Sequence, residues 1–400
     1  MKLRWLFLWM SCGLQMVFSC SKSSSNPSPS DGNQPAITVS DVTLARQPRQ
    51  DISFRFYVSL SKASSQTVTV HYATQAGTAL AGKDFIPDSG ILQFPPGTTQ
   101  AYVDITVKAD SLRQANQEFY LVLSAPQQAT LARNKATGVI LNQDLPYLPT
   151  SDSGYTTPMS YPGYQLVWHD EFDETGLSDN DWNYEIGGNG WGNQELEYYT
   201  SRPQNVFISD GKLIIEARKE SYGNNSYTSA RITTQGKHEF QYGRIDIRAK
   251  LPVATGMWPA LWMLGSNIKQ VGWPQCGEID IMELIGKNPR EVVGSFHWKK
   301  ADGSEGTFNN RYDLTQGDFS QAFHVFSLLW DADSLQILVD DVPYVKASRQ
   351  DLSDGPYPFD QPFFFIFNVA VGGNWPGPPD QTTSFPQRMF VDYVRVFQKN

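Results

Sequence analysis

Three carboxyls fall within what otherwise reads as a buried strand, Glu278-Ile279-Asp280-Ile281-Met282-Glu283. Alternate residues of a strand share a face, so Glu278 and Asp280 point one way while Ile279 and Ile281 point the other. Glu283 is out of phase by one residue. A β-bulge at Met282 restores the phase, bringing Glu283 beside the other two acids and returning Leu284 to the apolar face. Like charges on a half-buried surface raise one another's pKa, and one of the group keeps its proton near neutral pH. Glycosidic cleavage uses that division: an ionised carboxylate attacks or stabilises the anomeric carbon while a protonated one donates to the leaving oxygen. A solvated strand face or a structural ion-pair network is the other reading of the same acids. A metal site is disfavoured because the run contains no histidine.

The elements that must hold this strand are themselves strands. Segments at 206–208, 212–217, 243–250, 323–330 and 335–339 are short and apolar, with Gly, Pro, Asn and Asp between them. No long segment repeats at 3.6 residues, so two packed sheets fit better than an α/β arrangement. Trp258 and Trp262 are four apart, which on a strand is one face and suits two rings lining a groove. Core packing is the alternative for both. His297 shares a face with Ser295, opposite Phe296 and Trp298, and is placed to bond a carboxyl or a sugar, or to sit satisfied in the core. The glycines around Asn189 lack a following Lys-Ser/Thr pair, so they read as a turn and not as a phosphate cradle.

The Glu-x-Asp-x-x-Glu run follows Trp258-Pro259-Ala260-Leu261-Trp262-Met263-Leu264 and precedes Gly294-Ser295-Phe296-His297-Trp298. Together they resemble the bulge-type active-site strand of glycoside hydrolase family sixteen. The resemblance covers residues 164 to 398. Its laminarinase branch matches best, through Asp170-Glu171-Phe172, Gly188-Asn189-Gly190-Trp191-Gly192-Asn193-Gln194-Glu195 and Val391-Asp392-Tyr393-Val394-Arg395-Val396. It implies a concanavalin-like β-jelly-roll sandwich with a cleft on its concave face, and a retaining endo-β-1,3-glucanase acting on laminarin-type polysaccharide. Glu278 is then the nucleophile, Glu283 the acid/base and Asp280 the group that tunes both. Asn189 and Arg231 resemble donors to sugar hydroxyls, and Trp258 and Trp262 resemble rings beside the cleaved bond. No catalytic cofactor is implied. A structural Ca2+ on the convex face is, held by Glu171, the backbone of Gly211, and Asp392. The alternatives are a retaining hydrolase of mixed-linkage β-glucan or marine galactan, and a glucan-binding lectin without catalysis. The bulge argues against mixed-linkage specialists, and the retention of all three carboxyls argues against a lectin.

Ahead of this region the chain changes character. Nine of the 11 tryptophans lie between Trp168 and Trp375, and none lies between residues 20 and 150. Lys2 and Arg4 precede an apolar stretch at 5–10, and Val17-Phe18-Ser19-Cys20 resembles the lipobox of bacterial lipoproteins, which implies lipidation at Cys20 after a signal peptide at 1–19. An ordinary secretory peptide is the other reading. Residues 20–35 form a Ser/Pro-rich tether. Residues 36–145 alternate as an antiparallel β-sandwich, and Gly77-Thr78-Ala79, Gly82-Lys83-Asp84-Phe85, Gln117-Glu118-Phe119 and Asn142-Gln143-Asp144 resemble a Calx-β domain. Asp110, Glu118 and Asp144 are candidate calcium ligands there, or turn-forming acids. Residues 146–163 form a linker, and 164–400 the catalytic domain. The expected class is therefore all-β, a Calx-β-like sandwich followed by a larger jelly roll.

The chain has 32 basic and 41 acidic residues, net −9, and loss of Lys2 and Arg4 with a signal would leave −11. That balance disfavours nucleic acid and sulfated polymers as partners. With Cys12 in the signal and Cys20 acylated, only Cys276 remains, so no disulfide framework is expected and a buried thiol is. The expected protein is an exported monomer, anchored in the outer membrane and facing the cell surface or the periplasm.

Overall fold

The computed structural model describes residues 34–400. The expected signal peptide, Cys20 and nearly all of the tether lie outside the described residues. Among the described residues no helix is long and apolar enough to cross a membrane.

The front module is a two-sheet sandwich. Val42–Ala45, Lys135–Leu141, Gln117–Gln127, Val68–Ala76 and Ser89–Phe94 make one sheet, and Gln100–Val107, Ile52–Leu60, Ala36–Val39 and Thr130–Leu131 the other. Period-two burial along Ile52–Leu60 sends Phe54, Phe56 and Val58 inward, where Phe85 stacks on Phe119 at 4.5 Å. Asp110 pairs with Arg46 and Asp144 with Arg218, so two of the three candidate calcium ligands are engaged by arginines.

The second module packs a ten-stranded sheet on a seven-stranded one around a single apolar core. The seven-stranded sheet is antiparallel throughout, in the order Asn183–Glu185, Arg231–Thr233, Phe363–Val371, Met257–Gly265, Glu278–Glu283, Glu291–Lys299, Glu305–Asp313. All nine residues of Phe363–Val371 are buried, which explains its unbroken apolar sequence. In the larger sheet Gln387–Lys399 lies between Lys212–Tyr222 and Gly243–Lys250. Ile245, Ile247, Val394 and Val396 enter the shared core, so by alternation Asp246, Arg248, Tyr393 and Arg395 face outward.

That outward face is covered by the segment expected as a linker, 146–163. The segment lies along the sheet as a strap. Leu148 N donates to Ser209 Oγ at 2.7 Å, Thr157 N to Tyr393 Oη at 2.8 Å and Tyr161 Oη to Asp246 Oδ2 at 2.7 Å. In return Arg248 Nε donates to Tyr155 O at 2.6 Å and Arg395 Nη1 to Thr157 O at 2.9 Å. The modules also touch directly. Arg113, buried, stacks 3.8 Å over Phe207 and lies 3.4 Å from Glu216. Glu216 is fully buried and also pairs with Arg218 and Arg388 at 2.6 Å each.

Candidate active site

The bulge is present, with the single extra residue that the broken phase of the acids requires. Against Met257–Gly265, Leu261 faces Met282 and Trp262 faces Asp280, so Ile281 has no partner there. Against Glu291–Lys299 the register jumps from Asp280–Ser295 to Glu283–Val293. Ile281 and Met282 thus form the bulge together, and both are fully buried with Ile279 and Leu284. The one extra residue lets Glu278, Asp280 and Glu283 line one cleft of about 340 Å³ on the seven-stranded sheet.

Each outer carboxyl accepts from an indole. Trp273 Nε1 donates to Glu278 Oε2 at 2.9 Å, and Trp258 Nε1 to Glu283 Oε1 at 3.0 Å. His297, across the ladder from Glu278, places Nε2 3.1 Å from Asp280 Oδ2 and Nδ1 2.7 Å from Glu305 Oε1. Burial disfavours a charged imidazole, yet Asp280, Glu278 and Glu305 outweigh it and raise its pKa to about 10, so His297 is an imidazolium at neutral pH. Burial first, and then the charge of Asp280, push Glu283 up to about 8. The same two causes raise Glu278 well above the ordinary carboxylate range, but the neighbouring imidazolium and the Trp273 indole both favour its ionised form. The cluster therefore holds a proton at neutral pH, while His297 and one indole favour the ionised form of each outer carboxyl. The histidine missing from the run arrives from the next strand: ligand atoms of Glu278, Asp280 and His297 lie within 4.8 Å of one another. Both ring nitrogens of His297 face carboxylates, Asp280 and Glu305, so it stands here as an ion-pair partner.

Trp258 also packs edge-on against Trp375 at 5.5 Å. Trp262 donates through Nε1 to Asn368 Oδ1 at 2.8 Å. Arg231 stands between Trp191 and Trp262, with its guanidinium 4.9 and 4.8 Å from the ring centres, and is held by an ion pair with Glu185. Asn189 is exposed and outside the cleft, its Oδ1 accepting from Trp191 N at 3.3 Å, so it closes the turn that presents Trp191. Asn193, four residues on, lines the cleft instead.

Sequence reasoning passed over Trp191, Trp273, Glu195 and Asn368, all of which line the cleft. Two of these, Asn368 and Glu195, belong to a directed chain of hydrogen bonds beneath it. Trp262 donates to Asn368, Asn368 Nδ2 donates to Tyr199 Oη at 3.1 Å, and Tyr199 Oη donates to Glu195 Oε2 at 2.9 Å. Glu197, fully buried beside Glu195, is raised well above the ordinary carboxylate range by burial and then by that neighbour. The available signal was a single amide within Phe363–Val371 and two acids separated by one residue ahead of Tyr199.

Glu171, Gly211 and Asp392 share a recess on the outer face of the ten-stranded sheet. They do not fit a calcium ion. Arg395 donates to both oxygens of Glu171, at 2.8 and 2.7 Å, while Asp392 faces Arg248 at 2.7 Å and Lys212 at 3.4 Å. The carboxylate charge on which a divalent ion depends is already compensated.

With the geometry established, comparison with known proteins is consistent along the chain. The profile described as Glycosyl hydrolases family 16 matches residues 193–395, and the Calx-beta domain profile matches 32–144. A Beta-glucanase of Rhodothermus marinus is 44% identical over 250 residues, covering 59% of this chain and 86% of the relative. A Glucan endo-1,3-beta-glucosidase of Cryptopygus antarcticus is 40% identical over 258 residues, covering 60% and 94%. The solved laminarinase catalytic domain from Thermotoga maritima MSB8 is 50% identical with a TM-score of 0.56, covering 59% of this chain and 99% of that one. On the extent of these matches the chain belongs to the glycosyl hydrolases of family 16, with a Calx-beta domain at its front.

Proposed function

We infer that the protein is an endo-β-1,3-glucanase that hydrolyses internal bonds of laminarin-type glucan with retention at the anomeric carbon. The observation that carries this reading is the bulged strand, which sets three carboxyls in one tryptophan-lined cleft with a proton retained among them. In this mechanism Glu278, its charge favoured by His297 and Trp273, attacks the anomeric carbon. Glu283, which keeps its proton until about pH 8, protonates the leaving oxygen and then deprotonates the incoming water. Asp280 holds His297 and keeps the proton affinity of both outer carboxyls high. Trp191, Trp262 and Arg231 offer ring faces and a cation to a neutral sugar chain. The relatives named for endo-1,3-glucan cleavage support the linkage. Family 16 chemistry requires no catalytic cofactor.

Azide separates the two roles. Glu283→Ala should lose turnover on laminarin but keep part of it on an activated aryl glycoside, and with azide it should yield the β-glycosyl azide. Glu278→Ala should yield only the α-azide. The reverse pairing by proton NMR would overturn the assignment. We further propose that the protein is exported as a monomer and anchored through lipid on Cys20, because residues 17–20 carry a lipobox-like pattern. Cys20→Ser should then move it from the membrane to the soluble fraction, and unchanged sedimentation with membranes would dismiss the anchor.

A further inference from the structure

The recess on the outer face of the ten-stranded sheet contains its own cation. Lys212 follows the turn at Asp210-Gly211, where Gly211 has a φ of 66°. Its side chain is 5% exposed and runs into the recess. Three oxygens surround the ammonium: Asp152 Oδ1 at 2.5 Å, the Asp210 carbonyl at 3.0 Å and Asp392 Oδ1 at 3.4 Å. Burial works against the charged form, but Asp152 and Asp392 outweigh it and the lysine pKa is raised.

Two carboxylates and a carbonyl from separate stretches of chain are the donor set that a hard divalent cation takes. Such an ion would need the same oxygens at about 2.3–2.6 Å, in the space the ammonium fills. Arg248 takes the other oxygen of Asp392, at 2.7 Å, and leaves Oδ1 to the site. The donors therefore suit a cation while the position excludes a second one.

We propose that the Lys212 ammonium takes the place of a structural divalent ion, joining the strap through Asp152, the turn through Asp210 and the last strand through Asp392. The folded state then draws nothing from calcium. Removing the amine leaves an oxygen-lined site that accepts Ca2+. This inference is independent of the glucanase reading, since no cleft residue enters it.

The test uses the full-length protein stripped of metal. The wild type should melt at the same temperature with excess chelator or millimolar CaCl2, and calorimetric titration with CaCl2 should show no binding. Lys212→Ala should melt lower in chelator and regain roughly 3–6 °C on adding CaCl2, with a one-site binding isotherm. Lys212→Met, which keeps the buried stem, should respond the same way and serves if the alanine variant does not fold. Stoichiometric Ca2+ in the purified wild type, or a calcium-dependent rise in its melting temperature, would overturn the proposal. So would variants that fold without the lysine and still bind no Ca2+.

Discussion

Glu283 carries the clearest residue-scale consequence. Its folded-state pKa is about 8, whereas an unfolded glutamic acid titrates near its ordinary value of 4.5. The unfolded chain therefore releases that proton first, and stability falls as pH rises from about 4.5 to 8. Glu283→Gln, which never ionises, should melt a few degrees higher than the wild type at pH 8 and differ little at pH 4. Activity on laminarin should decline above about pH 8 as the acid form is lost, a limb that an activated aryl glycoside should not show. His297 has the same sign in a higher window: with its pKa raised to about 10, its stabilisation is complete below the ordinary imidazole value and is lost as pH rises toward 10. The acids were legible in the sequence because charges at Glu278, Asp280 and Glu283 contradict an apolar strand. The two indole donors were less so, since nothing in the spacing of Trp273 shows that its N–H meets Glu278.

Phe363–Val371 shows what an element can hide. As sequence it is a strand-sized apolar run, and its one amide reads as an irregularity. In the fold, Asn368 links the platform at Trp262 through Tyr199 to the buried acid Glu195. Tyr199→Phe removes one hydroxyl from that chain and leaves the ring in place. A buried hydrogen bond is worth about 1 kcal/mol, so kcat/KM on laminarin should fall about fivefold, chiefly through KM, with the alkaline limb unmoved. Unchanged kinetics would reduce the chain to core packing. The bulge was legible for the reverse reason, because the broken period of the acids demanded a shift. Its place at Met282 followed from the same break in phase, whereas the burial of both Ile281 and Met282 depends on the sheet opposite.

Across the whole molecule, both sandwiches were visible as strand periodicity, whereas their union was not. Polar residues alternating with Ile and Val in Gly243–Lys250 and Gln387–Lys399 imply a wet face, but the strap covers it and Arg113 reaches in from the front module. Such contacts join residues far apart in sequence and leave no local pattern. Arg113→Ala should lower the melting temperature by several degrees, about 1–2 kcal/mol, because Glu216 keeps Arg218 and Arg388. A chain beginning at Pro158 loses Asp152, Tyr155 and Thr157 from the strap, and should melt lower still while retaining full kcat. Two separate calorimetric transitions in the wild type would show that the modules do not unfold together.

The cleft belongs to the seven-stranded sheet and its loops, whereas the strap, Lys212 and the buried arginine pairs belong to the other sheet. An apolar core lies between them, crossed beneath the cleft by the hydrogen bond from Asn368 to Tyr199. Selection for heat tolerance and selection for a new sugar therefore act on opposite sides of one wall. Either side can change while the other stays constant, so one such scaffold can be retuned for substrate without first being rebuilt for durability.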